Sequence, residues 1–192
     1  MANFKCEFLG LTTLISFLLL TSPAFAQEAK PAAKLAEVGP SKTVTSFCNQ
    51  RRTTTDRAFC IRVFKSNPIS SSAPDNIALL KIAIDLTVGN SRKTLDFIQT
   101  LSNSKDTKAP LMPVLQECIS GFENSIKQLE LITQDLEDDP PMASYDARMA
   151  NEQLDRCQDS LKTSKIPQNQ ITSRYKIAAA YGKLVEEISV TV

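Results

Sequence analysis

The chain has no histidine and no tryptophan, and its 5 glycines stand singly at Gly10, Gly39, Gly89, Gly121 and Gly182. Without histidine there is no imidazole-based triad, no histidine-liganded zinc and no imidazole general base. Without clustered glycines there is no phosphate-cradling loop. No C-x-x-C pair occurs, which argues against an all-cysteine zinc site. An excess of charge of either sign is missing too: 22 Lys and Arg stand against 21 Asp and Glu, a net of +1, so nothing points to nucleic acid as a partner. An enzyme built from this inventory would have to work with carboxylates alone. The chain is therefore read as a protein without catalytic chemistry, metal or other cofactor.

What is present starts with a leader. Lys5 supplies a positive beginning, Phe8 to Leu20 is a short apolar stretch, and Ala24-Phe25-Ala26 has the small-x-small pattern of a signal-peptidase site. Residues 1–26 are expected to be a signal peptide, with Glu7 an untidy member of its first part. The mature protein is expected to begin near Gln27 and to have no membrane anchor, since no later run reaches the roughly 20 apolar residues of a spanning helix. Residues 27–42 mix Ala, Pro and Lys without apolar period and read as a flexible arm.

Residues 43–192 read as one all-α domain. Helix-forming residues dominate and strand runs are few. Thr43 to Gln50 and Asp56 to Ser66 form two short helical segments around Arg51-Arg52-Thr53-Thr54-Thr55, where β-branched threonines favour a break. A long helix follows, with Ser72 as its expected cap and Pro74 and Asp75 in its first turn. Ile77, Leu80, Ile84, Val88, Leu95, Ile98 and Leu101 make its apolar stripe, with a gap at polar Ser91 and a bend expected at Gly89-Asn90. The next runs from about Pro113 to Glu137 on Leu115, Ile119, Phe122, Ile126, Leu129 and Leu136, until Asp138-Asp139-Pro140-Pro141 stops it. A third spans about Ala143 to Lys162 and buries Tyr145, Met149, Leu154 and Leu161. After Ile166-Pro167, a last helix from about Asn169 to Ser189 buries Ile171, Tyr175, Ala178, Tyr181, Leu184 and Ile188. Short connections between long amphipathic helices imply an up-down four-helix bundle preceded by an α-helical hairpin.

Cys6 leaves with the leader, so four cysteines remain in an exported chain, an even number that reads as disulfides. Of three possible connectivities, only Cys48 with Cys60 and Cys118 with Cys157 is symmetric about the predicted turns, at positions 54 and 137.5. That pairing is expected, giving two disulfides. The N-terminal hairpin either packs on its own bundle or exchanges with a neighbour's; a monomer is expected.

These residues resemble the plant inhibitor family that acts on pectin methylesterase and invertase, including its pollen-allergen-like branch. Cys48, Phe59-Cys60-Ile61, Leu79-Leu80 and Ile82-Ala83-Ile84 are similar to the family's disulfide hairpin entering the first long helix. Cys118, Phe122, Ser125 and Ile126 match the pattern after its third cysteine. Tyr145-Asp146-Ala147-Arg148-Met149, leading to Cys157-Gln158-Asp159, is similar to its last-cysteine block. The resemblance implies a secreted protein of the apoplast or cell wall that docks one-to-one on a carbohydrate-active enzyme. Its invertase inhibitors carry a Pro-Lys-Phe turn where this chain reads Pro140-Pro141-Met142, which favours pectin methylesterase as the target. Arg156 and Lys127 depart from the methylesterase inhibitors' pattern, whereas Asp159 fits it. Invertase therefore stays open, as does a non-inhibitory binding module on the same scaffold.

The expected contact residues are Asp138, Asp139, Pro140, Pro141, Met142 and Asp159. Asp135, Glu137, Asp138 and Asp139 crowd a helix C-terminus, where the macrodipole disfavours negative charge by roughly 0.3 to 1 kcal/mol per site. Lys42, Arg51, Arg52, Arg57, Arg62 and Lys65 make the N-terminal hairpin basic, which suits either demethylated, acidic pectin or an acidic rim on the partner. No Asn-x-Ser/Thr acceptor occurs.

Overall fold

The computed structural model describes residues 41–50, 55–164 and 169–192. The expected leader, the arm up to residue 40, Arg51 and Arg52, and the Ile166-Pro167 break lie outside the described residues. Within them the secondary structure is entirely helical. Six α-helices follow in order: α1 Lys42–Cys48, α2 Arg57–Lys65, α3 Asn76–Ser102, α4 Met112–Asp138, α5 Pro140–Ser164 and α6 Asn169–Ser189.

Short polar side chains start α1, α2 and α3 by accepting the first free backbone N–H groups. Ser41 Oγ accepts from Val44 N–H at 3.1 Å, so Lys42, counted in the arm by composition, belongs to α1. Asp56 Oδ1 accepts from Phe59 N–H at 2.8 Å and opens α2. The cap of α3 is Asp75, which accepts from Ala78 N–H at 2.8 Å. Ser72, the expected cap, lies instead in a 3-10 turn over Pro68–Ser72, where its hydroxyl donates back to the Ile69 carbonyl. The next proline pair is also reassigned. Pro140 and Pro141 open α5 rather than separating it from α4, because N–H groups of a helix's first turn have no partner within the helix to lose.

Helices α3 to α6 form the up-down-up-down bundle, each packed against two others in the ring α3, α4, α5, α6. Opposed ends meet at each antiparallel seam. Lys81 reaches Glu137 at 3.8 Å and Arg92 reaches Glu130 at 2.5 Å between α3 and α4. Asn151 donates to Glu186 at 2.9 Å and Tyr175 to Asp155 at 2.6 Å between α5 and α6. The core has two lobes. One gathers Ile98, Leu115, Phe122, Leu154, Ile171 and Ala178 around Cys118 and Cys157. The other gathers Leu79, Leu80, Leu129, Ile132, Leu184 and Ile188, and it includes Val44, Phe47, Val63 and Phe64 of the N-terminal hairpin, which packs on its own bundle. Each large apolar side chain buried in this way contributes roughly 1.5–3 kcal/mol.

Two stripes differ from those read in the sequence. Helix α3 runs unbroken through Gly89 and Asn90, and it turns Leu79, Ala83, Thr87, Ser91 and Thr94 inward. Ser91, the apparent gap, is fully buried, because a small residue lets neighbouring helices close over it. Thr87 and Thr94 satisfy their hydroxyls on their own helix, at the carbonyls of Ala83 (2.6 Å) and Asn90 (3.1 Å). Ile77 is left 46 % exposed. On α5 the inward face is Ala143, Ala147, Ala150, Leu154, Cys157 and Leu161, at steps of three and four. Tyr145, expected in the core, sits off that face and is exposed.

Both bridges are formed: Cys48–Cys60, with Cα atoms 5.8 Å apart, ties α1 to α2, and Cys118–Cys157, with Cα atoms 4.2 Å apart, ties α4 to α5. That second approach needs Gly121. One turn along α4 from Cys118, a Cβ there would lie 2.6 Å from the Gln153 carbonyl oxygen, too close for any side chain.

Candidate functional site

The α4–α5 hairpin positions most of the expected contact residues. Its joint is a single residue, Asp139, which ends α4 and directly precedes α5. Asp139 N–H donates to the Asp135 carbonyl at 2.7 Å, closing α4, while Met142 N–H donates to the Asp139 carbonyl at 2.9 Å, opening α5. Asp138, Asp139, Pro141 and Met142 are thereby held together, exposed, on a turn with no slack.

The acids gathered here are better tolerated than α4 alone would allow. The negative end of one helix dipole and the positive end of the next fall on the same few residues, so the repulsion expected at the C-terminus of α4 is offset by the N-terminus of α5. Glu137 is further held by Lys81 of α3.

Asp159 does not join this group. It lies 17 residues beyond Met142 along α5, about 26 Å at 1.5 Å per residue. There it is exposed and paired with Lys162 Nζ at 3.3 Å, level with the disulfide end of the hairpin. Near it Arg156 forms an ion pair with Glu117 at 2.8 Å across the α4–α5 seam.

The turn gains apolar and aromatic neighbours that hydropathy had assigned elsewhere or passed over. Tyr145, 44 % exposed, follows Met142 by three residues and so shares its side of α5, with the Arg148 guanidinium 5.4 Å from its ring centroid. Leu131 on α4, also exposed, stands level with Met142 in the hairpin register. Tyr and Arg are the residue types that dominate binding energy in protein interfaces.

Beneath this surface lies a polar cluster the sequence reading missed. The carboxyl of Asp146, only 5 % exposed, accepts a hydrogen bond from Gln128 Nε2 of α4. Burial raises its pKa from 3.8 to about 6; a hydrogen bond and the charge of Asp135 push the same way, against the opposing bond from Gln128. The register signals this pairing in advance. Cys118 with Cys157, Gln128 with Asp146 and Gly121 with Gln153 are all centred on residue 137 to within half a residue.

Among the described residues no group of three or more His, Cys, Asp or Glu side chains is arranged to hold a metal ion, and no helix is long and apolar enough to cross a membrane. What this hairpin presents to solvent is a mixed acidic and aromatic surface.

Comparison with known proteins places this arrangement. The family model for plant invertase/pectin methylesterase inhibitors matches residues 42–191. An Arabidopsis thaliana protein named as cell wall / vacuolar inhibitor of fructosidase 2 is 29 % identical over 123 residues, covering 64 % of this chain and 64 % of that protein. The alignment thus spans just under two thirds of that relative's length. A crystal structure of a mutant form of a pectin methylesterase inhibitor from Arabidopsis superposes with a TM-score of 0.67 at 19 % identity, covering 79 % of this chain and 98 % of that one. A second Arabidopsis thaliana pectin methylesterase inhibitor structure gives a TM-score of 0.55 at 19 % identity, with 77 % and 93 % covered.

Proposed function

The chain belongs to the plant invertase/pectin methylesterase inhibitor family, a family of inhibitor proteins rather than enzymes, and on that footing we propose that it docks one-to-one on pectin methylesterase in the cell wall and blocks its cleft. The observation that carries this reading is the family match over 42–191, nearly all of the described chain. Docking suits the geometry of the α4–α5 hairpin. Its disulfide, one-residue joint and close helix contact hold Asp138, Asp139, Pro141, Met142, Tyr145 and Arg148 on a preformed surface, so little ordering is required on association. Asp159, at the far end of the same helix, belongs to the docking surface only if the partner covers most of the length of α5.

The choice of methylesterase over invertase rests on the joint, where Pro140-Pro141-Met142 starts a helix amid acids instead of presenting a Pro-Lys-Phe turn. A second reading, inhibition of invertase, is favoured by the relative named for a fructosidase. Purified, oxidised protein added at micromolar concentration to pectin demethylation and to sucrose hydrolysis separates the two. The expected result is loss of demethylation with sucrose hydrolysis unchanged. The reverse pattern transfers the assignment to invertase. No effect on either reduces the chain to a binding module on an inhibitor scaffold. Replacing Tyr145 by Ala together with Arg148 by Ala is expected to weaken inhibition at least tenfold, since both side chains are exposed and their loss leaves the core intact.

A further inference from the structure

The N-terminal hairpin carries charge of one sign in a molecule whose remaining residues are net acidic. Residues 42–66 hold six cations, Lys42, Arg51, Arg52, Arg57, Arg62 and Lys65, against the single acid Asp56, whereas the whole chain nets +1. Asp56 is engaged as the cap of α2. Between α1 and α2 the structure opens a groove of about 640 Å³ lined by Thr45, Arg57, Ala58, Ile61, Arg62, Lys65 and Ser66. Three of those seven are cations, and no acid among the described residues lines it.

Arg57 and Arg62 are held differently from several cations of the bundle. There Lys81, Arg92, Arg156 and Lys183 each meet a carboxylate. Here Arg57 donates to the amide oxygen of Asn49, and Arg62 lies 5.9 Å from the Phe59 ring centroid, so both rest on neutral partners and keep their charge available. Arg57, Ile61 and Lys65 recur every four residues, a row about 12 Å long on one side of α2, with Ala58, Arg62 and Ser66 as the adjoining row. Cations alternate with small or apolar side chains along both rows.

We infer that the α1–α2 groove binds a run of uronate residues, the acidic polysaccharide that remains when pectin loses its methyl esters. A sugar acid polymer presents what this surface complements: regularly spaced carboxylates for the guanidinium groups and apolar C–H faces for Ala58 and Ile61. The anion site stands on the groove itself; the choice of a uronate polymer among polyanions rests on the cell-wall role proposed above. Its consequence is retention of the inhibitor where demethylation has already occurred.

The test uses the full mature, oxidised protein and no enzyme, so its failure leaves the inhibitor reading untouched and the converse also holds. Binding is measured to polygalacturonate, to fully methylesterified pectin and to polyglutamate. The expected result is binding to polygalacturonate that falls at least tenfold between about 20 mM and about 0.5 M salt, with at least tenfold weaker binding to the other two polymers. Arg57→Gln with Arg62→Gln, exposed positions whose replacement keeps helix and disulfide, is expected to reduce polygalacturonate binding at least tenfold with unchanged circular dichroism. Equal binding to methylesterified pectin, equal binding to polyglutamate, or undiminished binding by the double variant each overturns the proposal.

Discussion

Both hairpins of this molecule are closed by a disulfide, yet the covalent bond does different work in each. Helices α1 and α2 have 7 and 9 residues, below the length at which a helix is even marginal by itself. Their persistence depends on the Cys48–Cys60 bridge and on docking to the bundle. Phe47 and Phe64 are buried in its core, Phe59 packs edge-on against Tyr181 at 5.5 Å, and Thr55 N–H donates to Glu187 at 3.0 Å. Helices α4 and α5 have 27 and 25 residues and a continuous seam of Phe122, Leu129, Ala147, Ala150 and Leu154. They would pair without their bridge, and the bond there fixes how close and in which register they meet. A staple across short helices makes structure; one across long helices sets distance.

The largest test of that contrast removes the longer bridge. Replacing Cys118 and Cys157 by Ala is expected to lower global stability by about 4 kcal/mol, read as a fall in denaturant midpoint, because a 39-residue separation is freed in the unfolded chain. The helical signal before the transition should be unchanged, since the seam remains. Removing Cys48 and Cys60, 12 residues apart, should cost about 3 kcal/mol and act locally. Hydrogen exchange is expected to show residues 42–66 losing protection while α4 and α5 keep theirs. Equal loss of protection in both hairpins would break the comparison.

A smaller effect belongs to the long hairpin alone. Because Asp146 titrates near pH 6 when folded and near 3.8 in the usual case, the native state binds more protons than the unfolded one between those values. The contribution of this group to stability is therefore complete at low pH and is lost as pH rises through about 6, by at most about 3 kcal/mol. Asp146→Asn should flatten stability between pH 4 and 7 and exceed the parent at pH 7, measured by urea midpoints across that range. A parent profile with no such decline would show that burial, with Asp135 beside it, leaves the carboxyl unperturbed.

The helices and both bridges could be read from the chain because their signals are periodic or symmetric: leucines and isoleucines at steps of three and four, and cysteines equidistant from turns. The inward face of α5 could not be read the same way, since Ala143, Ala147 and Ala150 carry little hydropathy and Tyr145 drew the stripe onto the wrong side. The burial of Ser91 was hidden for the same reason, small size counting for more than polarity where helices touch. Asp75 was overlooked as a cap because Ser72 and Pro74 offered a plausible start, and only backbone geometry decides which oxygen reaches a free N–H. At the candidate site, composition located the joint and its acids. Asp159 lies exposed on α5 but far from that joint, and composition did not mark Tyr145 and Arg148 as surface neighbours of the turn. Counting outward from residue 137 would have found the Gln128–Asp146 pair from the cysteines alone.

The single-residue joint at Asp139 makes the hairpin a ruler with a fixed zero. One amino acid inserted there would swing every side chain of α5 by about 100° around its axis, carrying Cys157 off its mate and the alanine edge out of the seam at the same stroke. A change of length at this corner is therefore expected to cost this chain more than an exchange of side chains at constant spacing.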